Sequence, residues 1–138
     1  MNLLRILQVS ASGMTAQRTR LQTTSSNIAN AQTTRTDDGG PYLRKVPVFR
    51  ATEVAGGDAF SATLAGQLEA PNVVDVVEDG RAPELVYDPG HPDADPNTGL
   101  VAMPNVNVVE EMVDMMTASR SFEANVTAMS ATKNMALK

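Results

Sequence analysis

Two apolar stripes with a seven-residue period, one near each end of the chain, constrain this sequence more than any other feature. The first stripe consists of apolar residues at every seventh position, namely Leu7, Met14, Leu21 and Ile28. This spacing predicts a helix of roughly 28 residues, about 42 Å long at 1.5 Å per residue. The stripe is narrow, because the positions offset from it become polar at Arg18 and Ser25.

The second stripe lies near the other end and is formed by Val108, Met115, Phe122 and Met129, with Met112 and Val126 on the offset positions. Asn107 precedes it and Glu110 follows three residues later, which is a capping-box pattern at a helix start. Glu110, Glu111 and Asp114 also suit the positive end of the helix dipole. The pattern predicts a helix over residues 108–136.

Two details of the first helix bear on how it packs and where it ends. Gly13 lies inside it at a cost of up to about 1 kcal/mol relative to alanine. That glycine either permits close approach of another helix or is a tolerated defect. Beyond Ile28 the sequence turns polar, and Asn30 is expected to end the helix in the left-handed conformation.

Neither helix can bury a narrow stripe alone, so the two are expected to pack together as a coiled-coil-like pair. An ordinary two-helix core of a monomer stays open as an alternative. The predicted fold class is α+β, with a small β-rich insert between long terminal helices. The predicted divisions are an N-terminal helix with its cap (1–34), the insert with its loops (35–106) and a C-terminal helix (107–138).

The insert contains four strand candidates separated by turn-forming residues. Residues 42–54 form a strand-like run that Pro47 interrupts, which predicts an edge strand. Three shorter β candidates follow, at residues 73–77, 84–87 and 100–103.

Residues that could perform chemistry are few. The chain has no cysteine, and its single histidine, His91, lacks the partners of a triad or a metal site. Residues 93–99 alternate oxygen-bearing side chains, but Thr98 and Pro104 occupy the positions where a calcium loop needs glycine and glutamate. The sequence therefore predicts no catalytic, cofactor-binding or metal-binding residues.

Charge and hydropathy argue against two classes of partner. Residues 1–50 carry seven basic and two acidic side chains, a net +5, whereas the remainder carries a net −10. No basic cluster with interleaved aromatic residues is present, so nucleic-acid binding is not expected. No segment has the length of a membrane span or the pattern of a cleaved signal peptide, so neither is expected.

Several segments resemble the flagellar rod and hook axial proteins, and within that family the proteins of the proximal rod. They are residues 26–31 (SNIANA), 33–36, 39–45 (GGPYLRK), 85–95, 103–114 and 118–126. The motif residues that carry the likeness are Asn27, Asn30, Gly40, Pro41, Tyr42, Pro104, Asn105 and Asn107.

The resemblance implies a structural, non-enzymatic subunit of the rod that crosses the periplasm, exported through the flagellar type III apparatus without a cleaved signal peptide. The implied partners are other copies of the chain, other proximal-rod proteins, the basal-body adaptor protein and, in transit, the export apparatus. Two alternatives remain. One is a soluble helical adaptor or secretion chaperone, and the other is a small enzyme or cation-binding module centred on residues 88–99.

Overall fold

The computed structural model describes residues 3–53 and 69–137, which form two long helices separated by two small sheets. In chain order the elements are α1 (Leu3–Ala29), β1 (Lys45–Glu53), β2 (Glu69–Glu78), β3 (Glu84–Tyr87), β4 (Leu100–Met103) and α2 (Val108–Ala136). Strand β1 pairs with β2 and β3 pairs with β4, both antiparallel. The predicted α+β class with terminal helices and a β-rich insert is confirmed.

Helix α1 ends at Ala29, but not by the mechanism that the sequence suggested. No non-glycine residue in the described part of the chain has a positive φ, so Asn30 is not left-handed. Instead the Asn30 side-chain amide donates to the Ser26 carbonyl at 2.9 Å. The Ser26 carbonyl also accepts from the Asn30 backbone N–H at 3.1 Å, so the side-chain amide adds a second bond to the same carbonyl at the helix end.

Helix α2 begins as predicted. The Asn107 side-chain oxygen accepts from the Val109 N–H at 3.0 Å and from the Glu110 N–H at 3.4 Å. No return bond from the Glu110 carboxylate to the Asn107 N–H appears among the described residues, so only half of the capping box forms. Glu110 and Glu111 lie in the first turn, where negative charge is favourable.

The two helices pack antiparallel, with Gly13 beside Asn125 near the middle of the pair and Asn27 beside Glu111 at one end. The residues buried along the pair are small or polar rather than bulky. They are Ser10, Gly13, Ala16, Thr23, Thr24 and Asn27 of α1 with Glu111, Ala118 and Thr132 of α2. Small side chains let the helix backbones approach closely, which moves the bulky residues out to the flanks.

The two apolar stripes are therefore less buried than the small and polar residues, although Met14 and Leu21 of the first stripe and Phe122 of the second line one groove between the helices. Met112 and Val126 remain 51% and 45% exposed. The other stripe residues are half-buried beside the contact, and they are Leu7, Met14, Leu21, Ile28, Val108, Met115, Phe122 and Met129. A seven-residue period identifies a stripe on a helix, but it does not identify which neighbouring stripe faces the partner.

Strands β1 and β2 form a ribbon that lies along α1. The Lys45 N–H and C=O both bind the Asn27 side chain, so these groups face away from β2. In an antiparallel strand the backbone N–H and C=O groups of successive residues point to opposite edges, so Pro47, two residues after Lys45, points to the same free edge. A proline there leaves no strand-pairing hydrogen bond unmade. Pro47 is thus an edge residue, as predicted. The strand occupies Lys45–Glu53 of the predicted run 42–54, and Val54 lies outside the described residues.

The hairpin of β3 and β4 has the bounds that the sequence predicts, and the predicted strand 73–77 lies within β2. The long loop between β3 and β4 is closed by a hydrogen bond from the Asp88 N–H to the Gly99 carbonyl at 3.0 Å. Gly99 has a φ of 67°, and a Cβ there would lie 2.8 Å from the Tyr87 ring. Only glycine fits this position without rearrangement.

Gly13 provides a direct test of the close helix contact, since a Cβ there would lie 3.0 Å from the Asn125 side-chain nitrogen. We expect Gly13→Leu to lower the free energy of unfolding by about 1–3 kcal/mol through overpacking, although leucine is the better helix former. Urea unfolding followed by circular dichroism measures this.

The matched control is Ser25→Leu on the exposed side of α1, which we expect to be neutral within about 0.5 kcal/mol. Adding Asn125→Ala to Gly13→Leu should recover part of the loss. Equal stabilities for the two leucine variants would contradict the close contact.

Candidate functional site: a buried polar junction and two exposed apolar surfaces

Four segments meet around a group of hydrogen-bonded polar side chains, which we call the polar junction. It consists of Asn27 at the end of α1, Tyr42 and Arg44 before β1, Asn105 before α2 and Glu111 in the first turn of α2. The junction fixes where the insert leaves one helix and where it enters the other.

Asn27 is the centre of the junction and is only 1% exposed. Its side-chain nitrogen donates to the Lys45 carbonyl at 2.9 Å and to Glu111 Oε2 at 3.0 Å. Its oxygen accepts from the Lys45 N–H and from the Tyr42 hydroxyl, each at 2.9 Å. An asparagine amide offers two donor hydrogens and two acceptor positions, and all four are used here.

Glu111 is a carboxylate buried to 1% exposure, which requires compensation by a positive charge. Arg44 supplies it through a bond from Nε to Glu111 Oε1 at 2.6 Å. The guanidinium also lies 3.6 Å from Asp79 and 3.4 Å from Asp114. Burial works to lower the pKa of Arg44, but the hydrogen bond and charge of Glu111, with the charges of Asp79 and Asp114, outweigh it and raise that pKa above its ordinary value.

Asn105 connects the junction to the chain that links the two sheets. Its oxygen accepts from the Arg44 N–H at 2.7 Å, and its nitrogen donates to the Arg81 carbonyl at 2.8 Å. Arg81 also binds the Asp79 carboxylate at 2.9 Å, and this hydrogen bond holds the pKa of Asp79 below its usual value. Because the pKa of Asp79 is lower in the folded chain than its unfolded value of about 3.8, the ionised carboxylate stabilises the fold above that pH. This stabilisation is lost as the pH falls through the folded-state pKa.

The residues of the family motif serve this architecture. Asn27, Tyr42 and Asn105 come together in the junction, while Asn30 and Asn107 cap the helix ends that face it. The remaining three shape the connecting segments: Gly40 has a φ of 107°, Pro41 is half-buried and Pro104 is buried.

Sequence reasoning missed the ion pair of Arg44 and Glu111. Glu111 was interpreted only as an acidic residue suited to a helix start. The available signal was its place seven residues before Ala118, in a stripe that continues through Asn125 and Thr132. A charged residue in register with the buried stripe of a helix indicates a buried ion pair.

Of the apolar surfaces that the described residues leave open to solvent, two lie on the helices. The first, which we call the flank groove, has a volume of about 480 Å³ and lies between α1 and α2, lined by Ala11, Met14, Thr15, Arg18, Leu21 and Phe122. The second, the outer face of α2, consists of Val109, Met112, Val113 and Met116, which are 51–70% exposed. Apolar surface left in solvent at two places indicates contacts with other chains.

The loop centred on residues 88–99 is held by its own hydrogen bonds. The His91 ring nitrogen Nδ1 accepts from the Asp93 N–H at 3.1 Å. The Asp93 carboxylate accepts from the Thr34 hydroxyl at 2.8 Å and lies 3.8 Å from Arg35, which connects the loop to the segment after α1. No group of three potential metal ligands occurs in residues 3–53 and 69–137. Within the same residues, no helix is both long and apolar enough to cross a membrane.

Comparison with known proteins assigns both helical ends to one class. Residues 7–35 match the family model described as flagella basal body rod protein. Residues 97–138 match the model described as flagellar basal body rod FlgEFG protein C-terminal. The helices and their flanks thus have the sequence character of flagellar rod proteins.

Full-length relatives define the family within that class. A flagellar basal-body rod protein FlgC of Escherichia coli O6:H1 is 44% identical, with 100% of this chain and 96% of the relative aligned. The FlgC proteins of Bacillus subtilis (43% identical; 96% and 92% aligned) and Borreliella burgdorferi (41% identical; 98% and 93% aligned) are similar over comparable lengths. The chain belongs to the FlgC family of flagellar basal-body rod proteins. That family is structural rather than enzymatic.

The ion pair at the junction predicts a large loss of stability when its cation is removed. Arg44→Met leaves the Glu111 carboxylate buried without its cation, which we expect to lower the free energy of unfolding at pH 7 by about 3–5 kcal/mol. Urea unfolding followed by circular dichroism measures this.

The double variant Arg44→Met/Glu111→Leu removes both charges and should be more stable than Arg44→Met alone at pH 7. The control Arg50→Met, at an exposed arginine of β1, should resemble wild type. Equal stabilities for Arg44→Met and Arg50→Met would contradict a buried carboxylate that depends on Arg44.

Proposed function

We propose that this chain is a building block of the proximal part of the flagellar rod and polymerises there through its terminal helices. In this proposal the segments 1–34 and 107–138 form the axial part of the subunit, and the insert 35–106 makes lateral contacts. The observation that carries the proposal is the combination of a helix pair fixed by its own polar junction with apolar surfaces left uncovered outside it.

The assembled helices would form a torque-transmitting shaft around an export channel. The proposed partners are other copies of the chain, other proximal-rod proteins and the basal-body adaptor at the base of the rod. The matches at both helical ends to rod-protein models support this set, because those ends carry the apolar surfaces.

The route to that location is the flagellar type III export apparatus, with the rod spanning the periplasm as the destination. A chain with few buried apolar residues suits export, because little free energy is needed to unfold it. Among the described residues the buried apolar set is Ala16, Tyr42, Ala70, Val101 and Ala118. Folding would then be completed when neighbouring subunits cover the stripe residues.

The flank groove provides the test of assembly. We expect Met14→Asp or Phe122→Asp to prevent incorporation into the rod and to abolish motility, because a carboxylate would be buried without a partner between subunits. Both side chains are half-buried in the free chain, so the variants should keep helical circular dichroism. Swimming assays of complemented strains and mass spectrometry of purified hook–basal bodies give the readouts.

The control is Thr127→Asp, an equal change on an exposed part of α2, which should remain motile. Wild-type chain absent from hook–basal bodies, yet abundant and dimeric in the cytoplasm, would favour the adaptor or chaperone function instead. Normal motility in either groove variant would contradict the proposed role of the groove.

A further inference from the structure

The outer face of α2 is apolar and is left largely uncovered by the described residues, 3–53 and 69–137. Val109, Met112, Val113 and Met116 follow the spacing of one helix face and are 70%, 51%, 53% and 56% exposed. At 3.6 residues per turn, this face lies on the side of α2 opposite to Glu111 and Ala118, which face α1. Helix α1 packs on the opposite side of α2 and therefore does not cover this face.

The flank groove is suited to receive such a face. It opens beside α1, and Met14, Leu21 and Phe122 provide its apolar lining. Along α2, Phe122 lies ten residues beyond Met112, which corresponds to roughly 15 Å at 1.5 Å per residue. The outer face and the groove therefore point in different directions at different heights, and they cannot meet in one copy.

Charges at the two surfaces are complementary. Glu110 lies beside Val109 at the edge of the outer face and is exposed, and Arg18 lies at the rim of the groove and is exposed. Neither side chain forms an ion pair with another described residue. A second copy docked face to groove would bring these two opposite charges to the same contact.

We propose that the outer face of α2 in one copy docks into the flank groove of the next copy, with Glu110 facing Arg18. This inference rests on the proposed function and names the contact between neighbouring copies that it requires. Because the two surfaces differ, the contact is heterologous, and its repetition produces a ring or an open helical series of subunits rather than a closed dimer. Such a series is the geometry that a rod needs.

Engineered cysteines test the contact, since the natural chain has none. In a strain carrying Met112→Cys together with Thr15→Cys, at the groove rim, mild oxidation of hook–basal bodies should produce a ladder of disulfide-linked multimers. Disulfide formation requires Cα atoms within about 7 Å, which one copy cannot provide for these positions. Each single-cysteine variant should stay monomeric on a non-reducing gel.

A charge exchange supplies the second measurement. Arg18→Glu and Glu110→Arg should each reduce incorporation into hook–basal bodies by about tenfold, and the double variant should recover at least half of the wild-type level. Glu123→Arg, an exposed charge reversal elsewhere on α2, is the matched control and should have no effect.

The outcomes separate this inference from the proposed function. Motile cells whose hook–basal bodies contain the double-cysteine chain without multimers would overturn the face-to-groove contact and leave the rod function intact. A dimer from Met112→Cys alone would overturn it in favour of paired outer faces, and a link to a different protein would assign the outer face to that protein. Absence of the wild-type chain from hook–basal bodies would overturn both.

Discussion

The buried Glu111 carboxylate is the constraint on which the rest of the structure depends. A negative charge at 1% exposure has to meet a cation and hydrogen-bond donors, and among the described residues Arg44 and Asn27 provide them. Those partners come from the chain before β1 and from the end of α1. One charge therefore brings three distant segments to the same point and fixes the register of α1 against α2.

That register explains why the interior of the helix pair is polar and small. With Asn27 beside Glu111 and Gly13 beside Asn125, the facing positions are occupied by glycine, alanine, serine and threonine. A seam of this kind permits close backbone approach but buries little apolar area, so it contributes little hydrophobic stabilisation. The specificity of the pair comes from the junction, and its bulky residues are left for contacts outside the chain.

The features that the sequence could predict are those set by interactions between residues close together in the chain. The bounds of α2, β3 and β4 were predictable because caps, proline and β-branched runs act locally. Asn27, Tyr42 and Asn105 were found through family resemblance, not through physics. The seam and the Arg44–Glu111 pair were missed, because residues 67 positions apart meet only after the insert has folded back. The left-handed conformation expected of Asn30 was wrong, since its side chain bonds to Ser26 instead.

The two small sheets of the insert, like the helix pair, leave large apolar residues exposed. A two-stranded sheet is marginally stable by itself in water, and each sheet here exposes large apolar residues, including Phe49 at 41%, Leu85 at 64% and Tyr87 at 70%. Two features protect the free edge of β1. The Asn27 side chain binds the backbone N–H and C=O of Lys45, and Pro47 has no N–H. The Leu85 and Tyr87 backbone groups face away from β4, because Asp88 bonds across the hairpin to Gly99. The chain thus fixes its own connections with polar bonds at one junction and leaves apolar surface exposed. Under the proposed function, neighbouring subunits would cover that surface and so couple final stability to assembly.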